Sequence, residues 1–409
     1  GSIVTSFDGY PMFKKGLGGQ AIGLATLSSV VGGIFSAILL IIAAPQLGKL
    51  ALKFGPPEYF TLALFGLVAV IMLGDNKLKS IIAALIGLLL GTVGVDLFGT
   101  FRFNFGLNEL SVGVPLIPVV VGLFAVSQII EKINKLDQPT DSKTITDMSN
   151  TKVVLPKLSK VKKLWTSWLR GSFVGSFIGF LPGAGGSIAA FVGYNIEKKV
   201  SKHPEKFGEG AEEGIAVAES ANNATVGGTL IPTITLGIPG DQFTAVMLSA
   251  FLVHGLPVGP LLFRDNQELI NVIFISTFLT NFAFLIIGLL GAKYLIRLAL
   301  VRSSLLLPTI GIIALAGSFA AGSSNVYIAY GILFGILGFL FKTYNFDIAP
   351  LILGLILSEI MESSFVQSLM ISGGSYSIFF TRPFSILFVI LAILFISSSM
   401  IDFKKLLRL

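Results

Sequence analysis

Apolar residues fill this chain in long continuous runs, with polar positions gathered between the runs rather than alternating within them. The stretches Leu17 to Leu47, Leu110 to Ile130 and Ser303 to Phe341 contain no charged residue, and Tyr59 to Gly74 is a shorter run of the same kind. About 20 apolar residues carry a helix across the ~30 Å hydrocarbon layer of a bilayer, so the long runs suffice for one crossing each and the last for two. The pattern predicts helices near 18–46, 58–74, 78–98, 110–131, 165–180, 208–236, 241–258, 268–300, 304–322, 325–342, 348–370 and 384–401. Between two blocks of spans lies a polar connector, 132–164, with Asp137-Gln138-Pro139-Thr140-Asp141 inside it. Only its end, Leu158 to Leu169, reads as a short amphipathic stretch.

Composition agrees with this reading. Of 409 residues 53% are hydrophobic and 12% charged, where a soluble domain carries about 25% charged residues; the mean hydropathy is +0.86. The expected fold class is all-α, a polytopic transmembrane helix bundle embedded in a lipid bilayer. A net charge of +7 raises the question of nucleic acid, but its placement answers against such a partner. Between Glu131 and Arg170 stand nine Lys/Arg and four acids. The excess of basic residues in this connector, and Lys404, Lys405 and Arg408 in the tail, places both on the cytoplasmic side by the positive-inside rule. Lacking cysteine, the chain offers no disulfide, thiolate metal site or catalytic thiol. Its start, Gly1-Ser2-Ile3, has neither an initiator Met nor a signal-peptide n-region. The chain is therefore expected to begin inside a larger protein, unless Gly1-Ser2 is a cloning remnant.

An internal repeat sharpens the class. An offset of 251 residues pairs Pro57 with Pro308, Ala63-Leu64 with Ala314-Leu315, Gly66 with Gly317, Gly87 with Gly338, Thr92 with Thr343 and Asp96 with Asp347, ten identities in forty ungapped positions in all. A weaker echo at an offset of 239 pairs Gly1, Thr5, Gly16 and Leu17 with Gly240, Thr244, Gly255 and Leu256. Internal duplication is a mark of secondary transporters, whose substrate site lies between the copies. In this register the first copy lacks a counterpart of 165–239. The expected organisation is a partial first transmembrane repeat over 1–131, a cytoplasmic connector over 132–164 and a second transmembrane repeat over 165–409.

Candidate chemistry collects where the apolar pattern breaks. Ser172 to Phe180 and Ile188 to Tyr194 are apolar arms of about ten residues, half a bilayer as helix, around Leu181-Pro182-Gly183-Ala184-Gly185-Gly186-Ser187. Two such arms about a Pro-Gly break predict a re-entrant helical hairpin, and irregular backbone survives at membrane depth only where protein or a water-filled cavity satisfies it. The N-terminus of the second arm is an anion site by its free N–H groups. The alternative is a surface turn between two packed helices. A second place is Ser220-Ala221-Asn222-Asn223-Ala224-Thr225, whose uncharged oxygens suit a dehydrated Na⁺ or else join helices by hydrogen bonds. A third is Ile238-Pro239-Gly240-Asp241 before another helix start; Asp241 either caps that helix or couples an ion or proton. Glu359 and Glu362 lie one turn apart and Arg382 precedes Pro383, which suggests an Arg–Glu tie between spans with the pairing left open. Trp165 and Trp168 fit an interfacial aromatic belt. No H-E-x-x-H, G-x-x-x-x-G-K-[ST] or G-x-S-x-G occurs, and the two His are far apart, so a non-enzyme is expected. An intramembrane enzyme of the lipid-phosphate transferase kind would need clustered acids for Mg²⁺; an ion channel is the other alternative.

These residues carry a resemblance. The blocks Gly179-Phe180-Leu181-Pro182-Gly183-Ala184-Gly185-Gly186, Ala218-Glu219-Ser220-Ala221-Asn222-Asn223-Ala224 and Gly227-Gly228 to Pro239-Gly240 resemble the large membrane subunit of the tripartite tricarboxylate transporter family. So do Asp8-Gly9-Tyr10-Pro11-Met12, Phe54-Gly55-Pro56-Pro57-Glu58, Phe101-Arg102-Phe103-Asn104 and Phe380-Thr381-Arg382-Pro383, in order along the chain. The resemblance implies a permease in a prokaryotic inner membrane, working with a small membrane subunit and a periplasmic solute-binding protein that captures organic carboxylates. It implies Na⁺ or H⁺ as coupling ion and no other cofactor, with one Pro-Gly hairpin per repeat facing the substrate. The first-repeat hairpin would precede Gly1. Carried onto this chain, the candidate substrate site is Pro182, Gly183, Ala184, Gly185, Gly186 and Ser187 with Pro239, Gly240, Asp241 and Thr244. The candidate ion ligands are Ser220, Asn222, Asn223 and Thr225, with Na⁺ at Asn222 and Asn223.

Overall fold

A computed structural model of the chain describes residues 2–74, 76–106, 108–111, 113–133, 153–182, 185–298 and 303–400. Most of the connector, the basic tail residues Lys404, Lys405 and Arg408, and Gly183 and Ala184 of the first break lie outside the described residues. Among the described residues the fold is all-α apart from a two-residue antiparallel pair, β1 (Gly94–Val95) with β2 (Phe101–Arg102). The helices are α1 (Ser2–Lys14), α2 (Gly18–Ala51), α3 (Pro56–Leu73), α4 (Lys77–Gly91), α5 (Asn108–Ser111), α6 (Leu116–Val121), α7 (Ser127–Ile133), α8 (Leu158–Phe180), α9 (Gly185–Val200) and α10 (Glu212–Leu236). There follow α11 (Gln242–Val253), α12 (Pro260–Asp265), α13 (Gln267–Leu298), α14 (Ser303–Ala320), α15 (Asn325–Thr343), α16 (Ile348–Ile371) and α17 (Pro383–Met400). Six helical stretches among the described residues are long and apolar enough to cross a membrane: α2, α3, the run Leu116–Ile133, α13, α15 and α16.

Several boundaries depart from the periodicity. α8 runs for 23 residues, about 34 Å of helix, because the amphipathic stretch and the first arm of the hairpin are one element. Its internal glycines do not break it, since they are packed against α10. The predicted span 78–98 stops at Gly91 and turns into the β pair. The predicted span 110–131 starts only after Gly113 (φ +89°) and Pro115, and widens into a π-helical turn at Gly122–Val126. α1, absent from the predicted spans, carries Pro11 in its interior.

Helix bounds follow the sequence offset approximately. α3 and α4 lie at nearly the same offset from α14 and α15 that pairs Pro57 with Pro308. α1 and α11 end alike: Gly16 (φ +76°) and Gly255 (φ +67°) are left-handed, and Leu17 N donates to Met12 O and Leu256 N to Phe251 O, both at 2.9 Å. Glycine takes this conformation without the Cβ clash that penalises other residues, and the backbone bonds satisfy the last carbonyls of each helix.

Two compact units interleave along the sequence. One comprises Gly1–Lys49, Gln138–Asp241 and Val258–Ser303, the other Leu50–Asp137, Gln242–Pro257 and Ser304–Leu409. In the first, Val4, Ala190, Tyr194, Phe207, Val217 and Ala218 form one core where α1, α9 and α10 meet. Met12, Leu24, Leu164, Trp168 and Ile215 form another among α1, α2, α8 and α10. Trp168 is thus a core residue, 3% exposed, with Nε1 donating to Ser28 Oγ at 2.7 Å, while its neighbour Trp165 is exposed as an interfacial residue would be. In the second unit, Val119, Leu123, Phe334, Phe341, Leu351 and Leu355 pack around the π turn. There Arg382 pairs not with Glu359 or Glu362 but with Glu58, 2.5 Å away and buried. Glu362 instead takes both terminal nitrogens of Arg102, at 2.7 and 2.8 Å.

Candidate functional site

The site of the first unit is built on α10, whose neighbours come unusually close. Gly171, Gly175 and Gly179, one turn apart on α8, lie against Val217 and Ser220, Ala221, and Thr225 of α10 respectively, with the glycine carbons next to backbone atoms. Small residues at a four-residue spacing let two helices approach until their main chains touch. This seam delivers the end of α8, and so the Pro182 turn, to the middle of α10.

Beyond the turn the chain re-enters helix at Gly185 (φ +62°), a left-handed position that suits glycine. A Cβ on the next residue, Gly186, would stand 3.2 Å from Thr225 Oγ1 and 3.3 Å from Asn222 Cγ, with the Asn222 amide oxygen nearer still. The opening turn of α9 therefore sits directly on Asn222 and Thr225. Thr225 is buried and its hydroxyl donates to Asn222 O at 2.6 Å. Ser187 is exposed at the start of α9 and Pro182 is buried in the turn.

The second break joins the first. α10 ends at Gly237 (φ +72°), and Pro239 and Gly240 are buried behind it. A Cβ on Gly240 would lie 2.7 Å from Thr229 Cα and 2.9 Å from Gly179 O, and the Gly240 N–H donates to Thr233 Oγ1 at 3.3 Å. The chain returns at Val258, so close that a Cβ on Gly237 would be 3.3 Å from Val258 and 3.6 Å from Gly259 N. Asp241 is half-buried immediately ahead of α11. Thr244 belongs to α11 in the second unit, where it is buried.

Of the predicted ion ligands, the structure brings Asn222 and Thr225 to the break and directs the other two elsewhere. Ser220 is wholly buried, its hydroxyl bonded to Ala216 O at 2.8 Å and wedged between Gly32 of α2 and Gly171 of α8. Asn223 donates to Glu219 O at 3.0 Å and Glu219 Oε2 at 3.3 Å, and lines a cavity of about 280 Å³ with Thr277, Thr280 and Asn281 of α13.

Sequence reasoning missed three carboxylates that organise this unit. Asp8 is fully buried; its Oδ1 accepts from the N–H groups of Gly208, Gly210 and Ala211 at 2.8–2.9 Å, and its Oδ2 from Tyr194 OH at 2.8 Å. It fixes the loop ahead of α10 and places negative charge at that helix's positive end. Glu197 is 2% exposed and held by Arg170 at 2.5 Å and Ser167 at 2.7 Å. Glu219 accepts from Thr5 Oγ1 at 2.6 Å and Ser29 Oγ at 2.8 Å. The available signal was an acid inside an apolar stretch, costly unless partnered or used.

Apolar helices of membrane length, an internal repeat and two Pro-Gly breaks converging on polar groups define a polytopic membrane permease. Residues 1–353 match the model of the tripartite tricarboxylate transporter TctA family, and the chain belongs to that family. It is 37% identical over 386 residues to the uncharacterized 52.8 kDa protein in the TAR-I ttuC' 3' region of Agrobacterium vitis, covering 93% of this chain and 76% of that protein. It is 35% identical over 210 residues to the uncharacterized protein in the TAR-II ttuC' 3' region of the same organism, covering 51% of this chain and 86% of that protein. No solved structure matches.

Proposed function

We propose that this chain is the permease subunit of a secondary active importer in a prokaryotic inner membrane, moving citrate-like tri- or dicarboxylates. A periplasmic solute-binding protein delivers the substrate, a small membrane subunit completes the complex, and Na⁺ or H⁺ drives uptake. The observation that carries the reading is the seating of the α9 N-terminus on Asn222 and Thr225 beside the second break. Free N–H groups of the first helical turn attract a carboxylate through both hydrogen bonding and the helix dipole. The residues of this cradle are Pro182, Gly185, Gly186 and Ser187 with Pro239, Gly240 and Asp241; Thr244 belongs to it by the sequence reading alone. Asn222 and Thr225 supply uncharged oxygens next to that anion, which is where a co-transported cation would be stabilised by the substrate's own charge. In this reading the repeats 1–131 and 165–409 alternate the site's access by movement of rigid bundles.

The test is uptake of radiolabelled carboxylates by proteoliposomes holding the full-length protein and its two partners, with Na⁺ and pH gradients imposed separately. Accumulation that follows one gradient and needs the binding protein supports the reading. Flux that follows neither gradient, or no organic-anion flux, refutes it.

A further inference from the structure

Three other carboxylates of this unit have their oxygens committed to backbone N–H groups, a tyrosine hydroxyl or basic side chains. Asp8 takes three backbone N–H groups and the Tyr194 hydroxyl, Glu197 pairs with Arg170, and Glu212 pairs with Lys160. Glu219 differs. It stands two turns inside α10, half-buried, and none of the ion pairs among the described residues includes it. Its partners are Thr5 of α1, Ser29 of α2 and Asn223 of α10, at 2.6, 2.8 and 3.3 Å. All three are neutral, and all three carry an oxygen that can turn from hydrogen bonding toward ligating a cation. Of the other charges on the elements packed here, Arg170 and Lys160 of α8 are paired as above, Lys162 and Lys163 are exposed near the start of α8, and Lys14 is exposed in the last turn of α1. Glu213 in the first turn of α10 accepts from Ser201. The only charge in α2 is Lys49 near its far end, and α13 carries Glu268, exposed at its start, with Lys293 and Arg297 in its last turns.

We propose that Glu219, with Thr5, Ser29 and Asn223, forms a second cation site beside the Asn222–Thr225 position, where the driving Na⁺ first binds, held by five hard oxygens. A carboxylate with no basic side chain paired to it in an apolar bundle is costly, and binding Na⁺ offsets that cost. The cavity of about 280 Å³ is lined by Asn223, whose side chain also touches the Glu219 carboxylate. Coupling to the substrate follows from position on one helix. Asn223 faces Glu219 while its neighbour Asn222 faces Gly186 at the break, so a change of charge on Glu219 reaches the anion cradle across one residue of rigid helix. Linkage then requires that cation and substrate raise each other's affinity by the same factor.

This inference rests on the transport reading, and the experiment separates the two. In proteoliposomes with the complete complex, gradient-driven accumulation and substrate exchange at equal concentrations are both measured for wild type and Glu219→Gln. The variant has lost the anionic ligand, so the ratio of accumulation to exchange is expected to fall at least about tenfold, and the residual flux should stop responding to Na⁺. Ser29→Ala keeps the carboxylate but removes one ligand, and should raise the half-saturating concentration of the driving cation about fivefold. Co-uptake of ²²Na⁺ by wild type that Glu219→Gln abolishes supports the assignment; a wild-type response to pH alone overturns it. If wild type is gradient-driven while Glu219→Gln keeps its ratio, or Ser29→Ala leaves cation dependence unmoved, the assignment is overturned and the transport reading stands. Absence of gradient-driven uptake in wild type overturns both.

Discussion

The α8–α10 seam makes a sharp quantitative prediction at Gly175. A methyl group there would stand 2.8 and 2.9 Å from the carbonyl carbon and Cα of Ala221, closer still to its carbonyl oxygen, where real Cβ atoms essentially never come under 3.0 Å. All three atoms are backbone of α10, so no side-chain rotamer can relieve the clash and the helices must part by roughly half an ångström or more. Overpacking of this kind costs up to about 3 kcal/mol, while alanine's better helix propensity returns about 1 kcal/mol. Gly175→Ala should therefore lose about 2 kcal/mol net. Gly317 of α14 meets nothing within 4 Å, and Gly317→Ala should be neutral or stabilising by up to about 1 kcal/mol. Reversible SDS unfolding of the purified protein in mixed micelles, followed by circular dichroism, compares the two directly. If Gly175→Ala proves as stable as Gly317→Ala, the helices are not in main-chain contact and the seam argument fails.

Four further outcomes follow from the geometry. Gly186→Ala pushes the Asn222 amide from the opening turn of α9, and should weaken apparent substrate affinity in the uptake assay about tenfold, roughly the effect of one lost charge-assisted hydrogen bond. Arg382→Ala strands the buried Glu58 carboxylate; because Arg382 is itself 41% exposed, the expected loss in SDS unfolding is about 2 kcal/mol, below the usual range for a fully buried pair, and adding Glu58→Gln should restore part of it. Asp8→Asn weakens the acceptor for three backbone N–H groups, with a loss of about 2 kcal/mol and new limited-proteolysis cleavage between Ser201 and Ala211. The N–H groups of Thr100 and Phe98 hold the Asp96 carboxyl below its ordinary value of 3.8. A lowered folded-state value means that this turn is favoured above pH 3.8 and loses that support as pH falls through the depressed value, which amide exchange at Phe98 and Thr100 should report.

The spans and both breaks were legible in the sequence because each rests on a local signal: apolar length for α2, α13 and α16, Pro-Gly spacing for 181–186 and 237–240. The class was legible for the same reason. Pairings across the chain were not. Thr5 and Ser29 stand 214 and 190 residues from Glu219, and Arg382 stands 324 from Glu58, so nothing local distinguishes these partners from Glu359 or Glu362. Trp168 reads as interfacial by composition, yet the side of α8 that it occupies faces Ser28. Asn222 and Asn223 look equivalent in sequence, but a helix turns by about 100° per residue, and adjacent identical amides are thereby sent to different tasks.

The close meeting of Gly237 with Val258 and Gly259 has a consequence for how this stretch tolerates change. The chain leaves α10 and comes back at one point, so 238–257 is a closed excursion rather than a strut between distant anchors. The entropy of closing such a loop rises only with the logarithm of its length. Residues added at Gly255-Leu256, where α11 has already ended, lengthen the excursion without pulling on either glycine. That makes 255–257 a place where a tag or fluorophore-bearing insert can be carried while Gly237 keeps its contact with Val258 and Gly259.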